Sequence, residues 1–249
     1  MTNKHIRTRL KAFSVHLSLS TIAFLIILYF ILLHWYPKPH FTVNGGWQGI
    51  RIMLFVDIVL GPCLTLLLFN PKKSLKAILF DLSMIGIIQI SAFTWGAFAV
   101  HSQRPVALSL SEGVIYPVLE EELTLQEKSP VEIQSLDNGK PPVVYAREPV
   151  TAEEHAGAVA YDFTEGIISA KLFFLMEPIK QRIDELFMAS LENTKNPPEK
   201  FLQIKTEYLK NNKYKEGELA FVPFEGRYGN SLLIFNHEGK VIDSIPDPR

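Results

Sequence analysis

Residues 51–76, RIMLFVDIVLGPCLTLLLFNPKKSLK, decide how this chain is read. The apolar run over 52–69 is long enough to cross a bilayer, because about 20 residues rising roughly 1.5 Å each cover a hydrocarbon core of about 30 Å. It departs from a plain anchor in three ways: Asp57 puts a carboxylate inside the run, Gly61-Pro62 interrupts it, and Lys72, Lys73 and Lys76 close it. An unpaired charge at the bilayer centre costs about 3 kcal/mol on insertion scales, so Asp57 is expected to face protein, water or a partner. Pro62 has no N–H to offer the carbonyl of Ile58, which leaves an acceptor for neighbouring helices to tolerate or use. Such a segment is expected to pack in a bundle.

Upstream, Lys4, Arg7, Arg9 and Lys11 lead into a first apolar run over 13–33. A positive start before an apolar run also describes a signal peptide. This run is long, however, and is followed by HWYPKPHF without a small-residue cleavage pattern, so a retained span is expected. His34, Trp35 and Tyr36 suit the headgroup zone. The linker over 37–49 has Lys38 as its basic residue, Arg51 at its edge, and an expected turn at Asn44-Gly45-Gly46. A third run covers 77–100. Four basic residues precede the first span and three sit in the 70–76 loop, against two around the first linker, so the positive-inside rule places the N-terminus and the lysine loop in the cytoplasm. The expected organisation is a cytoplasmic N-terminus (1–12), a domain of three transmembrane α-helices (13–104, spans about 13–33, 51–69 and 77–100), and an α+β periplasmic domain (105–249).

The net charge of −1 conceals a division: the first hundred residues carry a balance of +7 and the remainder −8. The basic residues flank apolar runs and form no stripe with interleaved aromatics, which argues against nucleic-acid binding. The single cysteine, Cys63, lies in the second run, so no intramolecular disulfide and no cysteine-based metal site is expected.

Counted from the edges of the apolar runs at about 1.5 Å per residue, His16 and Asp81 each sit roughly 5 Å inside the cytoplasmic edge, Asp57 roughly 9 Å and Gln89 roughly 12–16 Å from the outer one. These depths suggest two interhelical contacts, His16 with Asp81 and Asp57 with Gln89, that fix the bundle's register. Asp81 has a second reading, as a cap of the third helix or a partner of Lys73 or Lys76. For Asp57 the readings are helix packing, recognition of a partner within the membrane, and ion or proton handling. A direct relay between the two carboxylates is disfavoured by about 15 Å of membrane.

Beyond Arg104-Pro105, VALSLSEGVIYPV alternates as a hairpin turning at Glu112-Gly113. Further strands are expected near 131–135 and 143–147. Thr151-x-x-Glu154 reads as a capping box before a short helix. Ile179, Ile183, Leu186, Phe187 and Leu191 recur at helical spacing, with Pro178 in the first turn. A second helix is expected with Asn196 as cap, Pro197 next, and Phe201, Ile204 and Tyr208 as its stripe. LAFVPF, SLLIF and VIDSI read as a terminal meander, with Asn236–Gly239 joining the last two strands.

No G-x-S-x-G, H-E-x-x-H, P-loop or dinucleotide fingerprint occurs. His155 near acids reads as a solvated or capping residue, His237 as a turn residue, and Arg227 in the Gly226–Gly229 loop as a lone cation open to an anion or partner. No enzyme and no cofactor are expected.

The run VDIVLGPCLTLLLFNPKKSLK, with FDLSMIGIIQISAFTWG and RPVALSL after it, resembles the type IV pilin accessory proteins, the TfpX/TfpZ group with its FimB-like members. The positions that carry the resemblance are Asp57, Gly61, Pro62, Asn70, Pro71, Lys72, Lys73, Asp81, Gln89, Arg104 and Pro105, with KAFSVHL and WYPKPHF before them. It covers residues 10–110. It implies a bacterial inner-membrane protein with a chaperone-like, accessory role in pilus assembly, acting on the major pilin and in contact with the bilayer and other pilus assembly proteins. In that role Asp57, Gly61, Pro62, Asp81 and Gln89 bind a partner or hold the bundle, and Lys72, Lys73 and Arg104 flank the membrane. The alternative is a membrane-anchored sensor whose periplasmic domain binds a ligand; it lacks a cytoplasmic output domain. A small transporter is disfavoured by having three spans and no internal repeat.

Overall fold

The computed structural model describes residues 3–36, 41 and 46–248. Lys38 and the Asn44-Gly45 part of the expected turn lie outside the described residues. The chain divides into two compact units on either side of His101 and Ser102.

The first unit is helical. Helix α1 runs over Asn3–Phe30 and continues through a π turn at Ile31–Trp35. Helix α2 covers Gly46–Leu68 and α3 covers Leu75–Ser102. Among the described residues, three helices are therefore long and apolar enough to cross a membrane. Each extends beyond its apolar run; in α1 the polar residues around Arg7 and Lys11 are good helix formers and carry the helix on. Large apolar side chains such as Leu19, Ile26, Ile90 and Phe98 lie exposed on α1 and α3, which in water would be an extensive apolar surface.

Helix α2 is not uniform: its middle, Phe55–Leu60, is a π turn in which the Gly61 N–H donates to the Val56 carbonyl. The cause follows directly at Pro62, whose ring clashes with the carbonyl four residues back in a regular helix and which has no N–H to give it. Widening the turn before Gly61-Pro62 relieves that clash. Glycines bring α2 and α3 together. A Cβ on Gly49 would lie 2.2 Å from Val100 Cγ2, one on Gly61 2.4 Å from Gln89 Oε1, and one on Gly96 3.1 Å from Met53 Cγ. The buried Tyr36 hydroxyl donates to the Val100 carbonyl at 2.9 Å.

The second unit is built on one mixed sheet with strand order β4-β3-β1-β2-β5-β6-β7. Strands β1 (Pro105–Ser111) and β2 (Val114–Leu119) form the expected hairpin. Glu112 and Gly113 both have positive φ (49° and 78°), as a two-residue turn matching strand twist requires. Strand β3 (Val143–Ala146) runs parallel to β1 and antiparallel to β4 (Met176–Pro178). The meander β5 (Ala220–Gly226), β6 (Gly229–Phe235) and β7 (Val241–Pro246) joins through β2, parallel to β5.

Alternation along β5 divides the core. Val222 and Phe224 pack with Leu108, Leu233 and Leu186 on one face, while Phe221 packs with Leu232, Phe201 and Leu209 on the other. Helices cover both faces, which is why β1, β5 and β6 are buried over most of their length and β5 and β6 carry continuous apolar runs.

Three expected elements differ. The segment near 131–135 is not a strand but helix α5 (Pro130–Gln134), which follows α4 (Glu120–Thr124). Ser129-x-x-Glu132 is a capping box with Pro130 at the first turn, and that local signal overrides the Val131 and Ile133 β-propensity. Pro178 does not start a helix; it ends β4, and the apolar positions after it are split between a 3₁₀ turn at Ile179–Gln181 and helix α7 (Ile183–Met188). The break is Arg182, at φ −133° and ψ 37°, whose Nε donates to Glu177 Oε2 at 2.9 Å. Asn196 is not the cap of the next helix: α8 (Glu199–Asn212) starts after Pro198, because a residue preceding proline is pushed out of the helical region and Pro197-Pro198 applies that restriction twice.

Helix α6 (Ala152–Glu165) starts at the expected capping box and ends at Gly166, whose φ of 65° is left-handed. It is longer than the sequence suggested. Arg147 donates to both Glu154 oxygens at 3.0 and 2.5 Å, and the Val150 N–H adds a bond at 2.8 Å. The Arg147 guanidinium first, and these N–H groups next, hold the Glu154 carboxyl at about 2, below its ordinary 4.5.

A carboxylate with a depressed value stabilises the fold above its unfolded value, and that contribution is lost as pH falls through the folded one. Hydrogen exchange of the α6 amides should therefore accelerate as pH falls from about 4.5 towards 2, beyond the intrinsic pH effect on exchange. Glu154→Gln should show the faster exchange at neutral pH and no further step in that window. In the core, Phe201→Ala should cost about 3–5 kcal/mol in chemical denaturation, since the ring is fully buried.

Candidate functional site between the apolar helices

Apolar helices with polar side chains turned towards one another must satisfy those groups internally. Helix α1 presents His16 and Ser20 four residues apart, hence on one face, and α2 presents Asp57 and Thr65 while α3 presents Gln89. His16 bridges two helices: Nδ1 lies 2.5 Å from Thr65 Oγ1 and Nε2 lies 2.6 Å from Gln89 Oε1. An amide oxygen only accepts, so Nε2 carries the proton; in the neutral ring Nδ1 then accepts from the Thr65 hydroxyl. Gln89 Nε2 donates to Ser20 Oγ at 2.9 Å and to the main-chain carbonyl of Asp57 at 3.2 Å. One glutamine thereby ties all three helices, with both ends of its amide engaged.

The Asp57 carboxyl is the exception. The residue is 2% exposed, and neither carboxyl oxygen makes a hydrogen bond of ordinary geometry to any described residue. Its position in the π turn lets the main chain serve Gln89 while the side chain stays unserved.

Of the two expected contacts, Asp57 with Gln89 forms through the Asp57 main chain. His16 with Asp81 does not form. Helix α1 begins at Asn3, so His16 lies more than three turns inside it and not in its first turn. Asp81, six residues into α3, pairs instead with Lys73, both partly exposed. This is the second reading of Asp81 offered by the sequence. Counting from the helix start at Gly46, Asp57 sits about 17 Å along α2, near its middle and not close to one end.

Gly61 and Pro62 are buried beside this cluster, and Gly61 provides the space that Gln89 fills. Lys72 and Lys73 belong to the turn between α2 and α3: the Lys72 N–H donates to the Asn70 side chain at 3.1 Å and the Lys73 N–H to the Asn70 carbonyl at 3.0 Å. Arg104 belongs to the second unit, where it pairs with Glu120 at 2.8 Å. Thr65 and Ser20 are members of the cluster that the sequence reading missed. Their signal was available as hydroxyls one or two helical turns from His16 and Asp57.

Elsewhere, His155 Nδ1 lies 2.8 Å from the Thr151 carbonyl on an exposed surface, and the His237 ring stacks on Phe187 at 4.3 Å. Both are engaged as local structural groups.

Gln89→Leu should lower stability in detergent by about 1–3 kcal/mol, because it removes several interhelical bonds at once. Gly49→Ala should also destabilise, by about 1–3 kcal/mol, since the stiff Val100 side chain would have to move. Gly86→Ala, where an added Cβ meets nothing within 4 Å, should leave thermal stability equal or higher.

The chain is similar to fimbrial assembly proteins of Dichelobacter nodosus. It is 36% identical over 98 residues to that of serogroup E1 and 35% identical over 98 residues to that of serogroup I. Each of these matches covers 39% of this chain and 38% of the relative. The protein of serogroups C1 and C2 is 35% identical over 98 residues, which is 39% of this chain and 75% of that relative. No family model matches, and no solved structure matches. With three quarters of the last relative aligned at this identity, the chain belongs to the fimbrial assembly proteins, a family related to type IV pilus assembly.

Proposed function

We propose that this protein is a non-enzymatic accessory factor of the bacterial inner membrane that assists type IV pilus assembly by acting, in a chaperone-like manner, on the major pilin. The observation that carries this reading is the 75% coverage, at 35% identity, of a relative named as a fimbrial assembly protein. Three helices long and apolar enough to span a bilayer support the membrane placement. The basic residues in the first turns of α1 and around the turn between α2 and α3 support a cytoplasmic N-terminus, with the sheet domain on the periplasmic side. The sheet domain has its own core and two helix-covered faces, so it is able to meet the soluble part of a client while α1–α3 meet the membrane part.

The reading is tested by removing the gene from a piliated host. The expected result is a loss of surface pili with pilin still made, restored by the intact gene. Asp57→Leu should insert normally yet restore fewer pili. Unchanged piliation in the deletion strain would overturn the role.

A further inference from the structure

The polar cluster opens onto a groove of about 290 Å³ between α1 and α3. Each of the two helices lines it with residues at i, i+3, i+4 and i+7, from His16 to Ala23 on α1 and from Gly86 to Phe93 on α3. The spacing makes two continuous helix faces, about 10 Å long, that flank one slot. Ser20, Ala23 and Gly86 are small, so a third backbone approaches closely; Leu19 and Ile90 keep the rims apolar and exposed. The volume is at the lower edge of the range for organic ligands, and it suits a side chain from a packed helix better than a cofactor.

Asp57 is part of the lining. The other polar groups there already have partners: His16 and Ser20 are bonded to Gln89, and Gln89 to both and to the Asp57 main chain. The Asp57 carboxyl is buried, and no described residue donates to it with ordinary geometry: the Gln89 amide beside it is already shared between Ser20 and the Asp57 main chain. What the site lacks is a hydrogen-bond donor, presented at the depth of Asp57, about 17 Å along α2.

We propose that this groove seats one apolar helix of a partner chain, and that Asp57 accepts a hydrogen bond from a donor-bearing side chain near the middle of that helix. His16, Ser20 and Gln89 are positioning residues that hold the groove open at the right spacing. The proposal rests on the membrane placement above but not on the identity of the client.

The test uses full-length protein in phosphatidylcholine vesicles, carrying a fluorescent dye on the exposed Cys63, and acceptor-labelled 21-residue Leu/Ala helices with either Lys or Leu at the centre. Energy transfer should show the Lys helix binding roughly 3- to 20-fold more tightly, the range one interhelical hydrogen bond supplies. Asp57→Leu, which removes the acceptor, should bring the two peptides level, and Gly86→Leu, which fills open space in the groove wall, should weaken both while circular dichroism shows the helices intact. Equal binding by both peptides, or a preference that survives Asp57→Leu, would overturn the proposal. So would self-association of the labelled protein that Gly86→Leu abolishes, because a second copy would then be the occupant. None of these results depends on pili, so the assay can fail while the deletion phenotype stands, or the reverse.

Discussion

The constraint on which the helical unit depends is that a polar group buried among apolar helices has no solvent to fall back on. Gln89 meets it for three helices at once. Its oxygen accepts a hydrogen bond from His16, its nitrogen donates to Ser20 and the Asp57 carbonyl, and His16 passes the connection on to Thr65. Each bond is of modest strength, but together they exclude rotations of α1, α2 or α3 that would leave several groups unpaired. The glycines at 49, 61 and 96 then allow the close approach between α2 and α3 on which the short distances depend. Packing between apolar surfaces alone would not choose a register so narrowly.

The sheet domain is held by a different force. Strands β1, β5 and β6 are buried on both faces over most of their length, and the charged groups are used at the edges of the core. Lys205, almost wholly buried on α8, lays its aliphatic stem beside Phe201 and Leu209 on the same helix face and ends between Glu192 and Glu216. With its one cysteine elsewhere, the chain builds this domain without cross-links, and both sheet faces must supply the stability.

Much of the architecture was legible in the residues. Three long apolar runs, a Glu-Gly hairpin turn, a Thr-x-x-Glu cap and a terminal meander each carry a local signal strong enough to survive tertiary context. The failures have local causes too. Ser129-x-x-Glu132 was a second capping box hidden under β-branched residues, and the doubled proline at 197–198 moved a helix start by two positions. In the site, Asp57, Gly61, Pro62 and Gln89 were legible as unusual residues in apolar surroundings. The contact of Asp57 with Gln89 was legible as well; the partners of His16 were not, because depth was counted from the start of hydrophobicity, whereas the helices start at Asn3 and Gly46. That error moved His16 by several turns and gave it a carboxylate partner, where the fold gives it Thr65 and Gln89.

The π turn in α2 has a geometric effect beyond accommodating proline. Twelve residues separate Gly49 from Gly61, and on a regular helix at about 100° per residue they would point roughly 120° apart. One extra residue in a widened turn rotates everything after it back by about 100°, which leaves the two glycines about 20° out of phase. Both therefore meet α3, one at Val100 and the other at Gln89. A helical wheel drawn through this segment splits what the fold keeps on a single side. The turn acts as a phase corrector, and the seam between α2 and α3 runs straight because α2 itself is irregular.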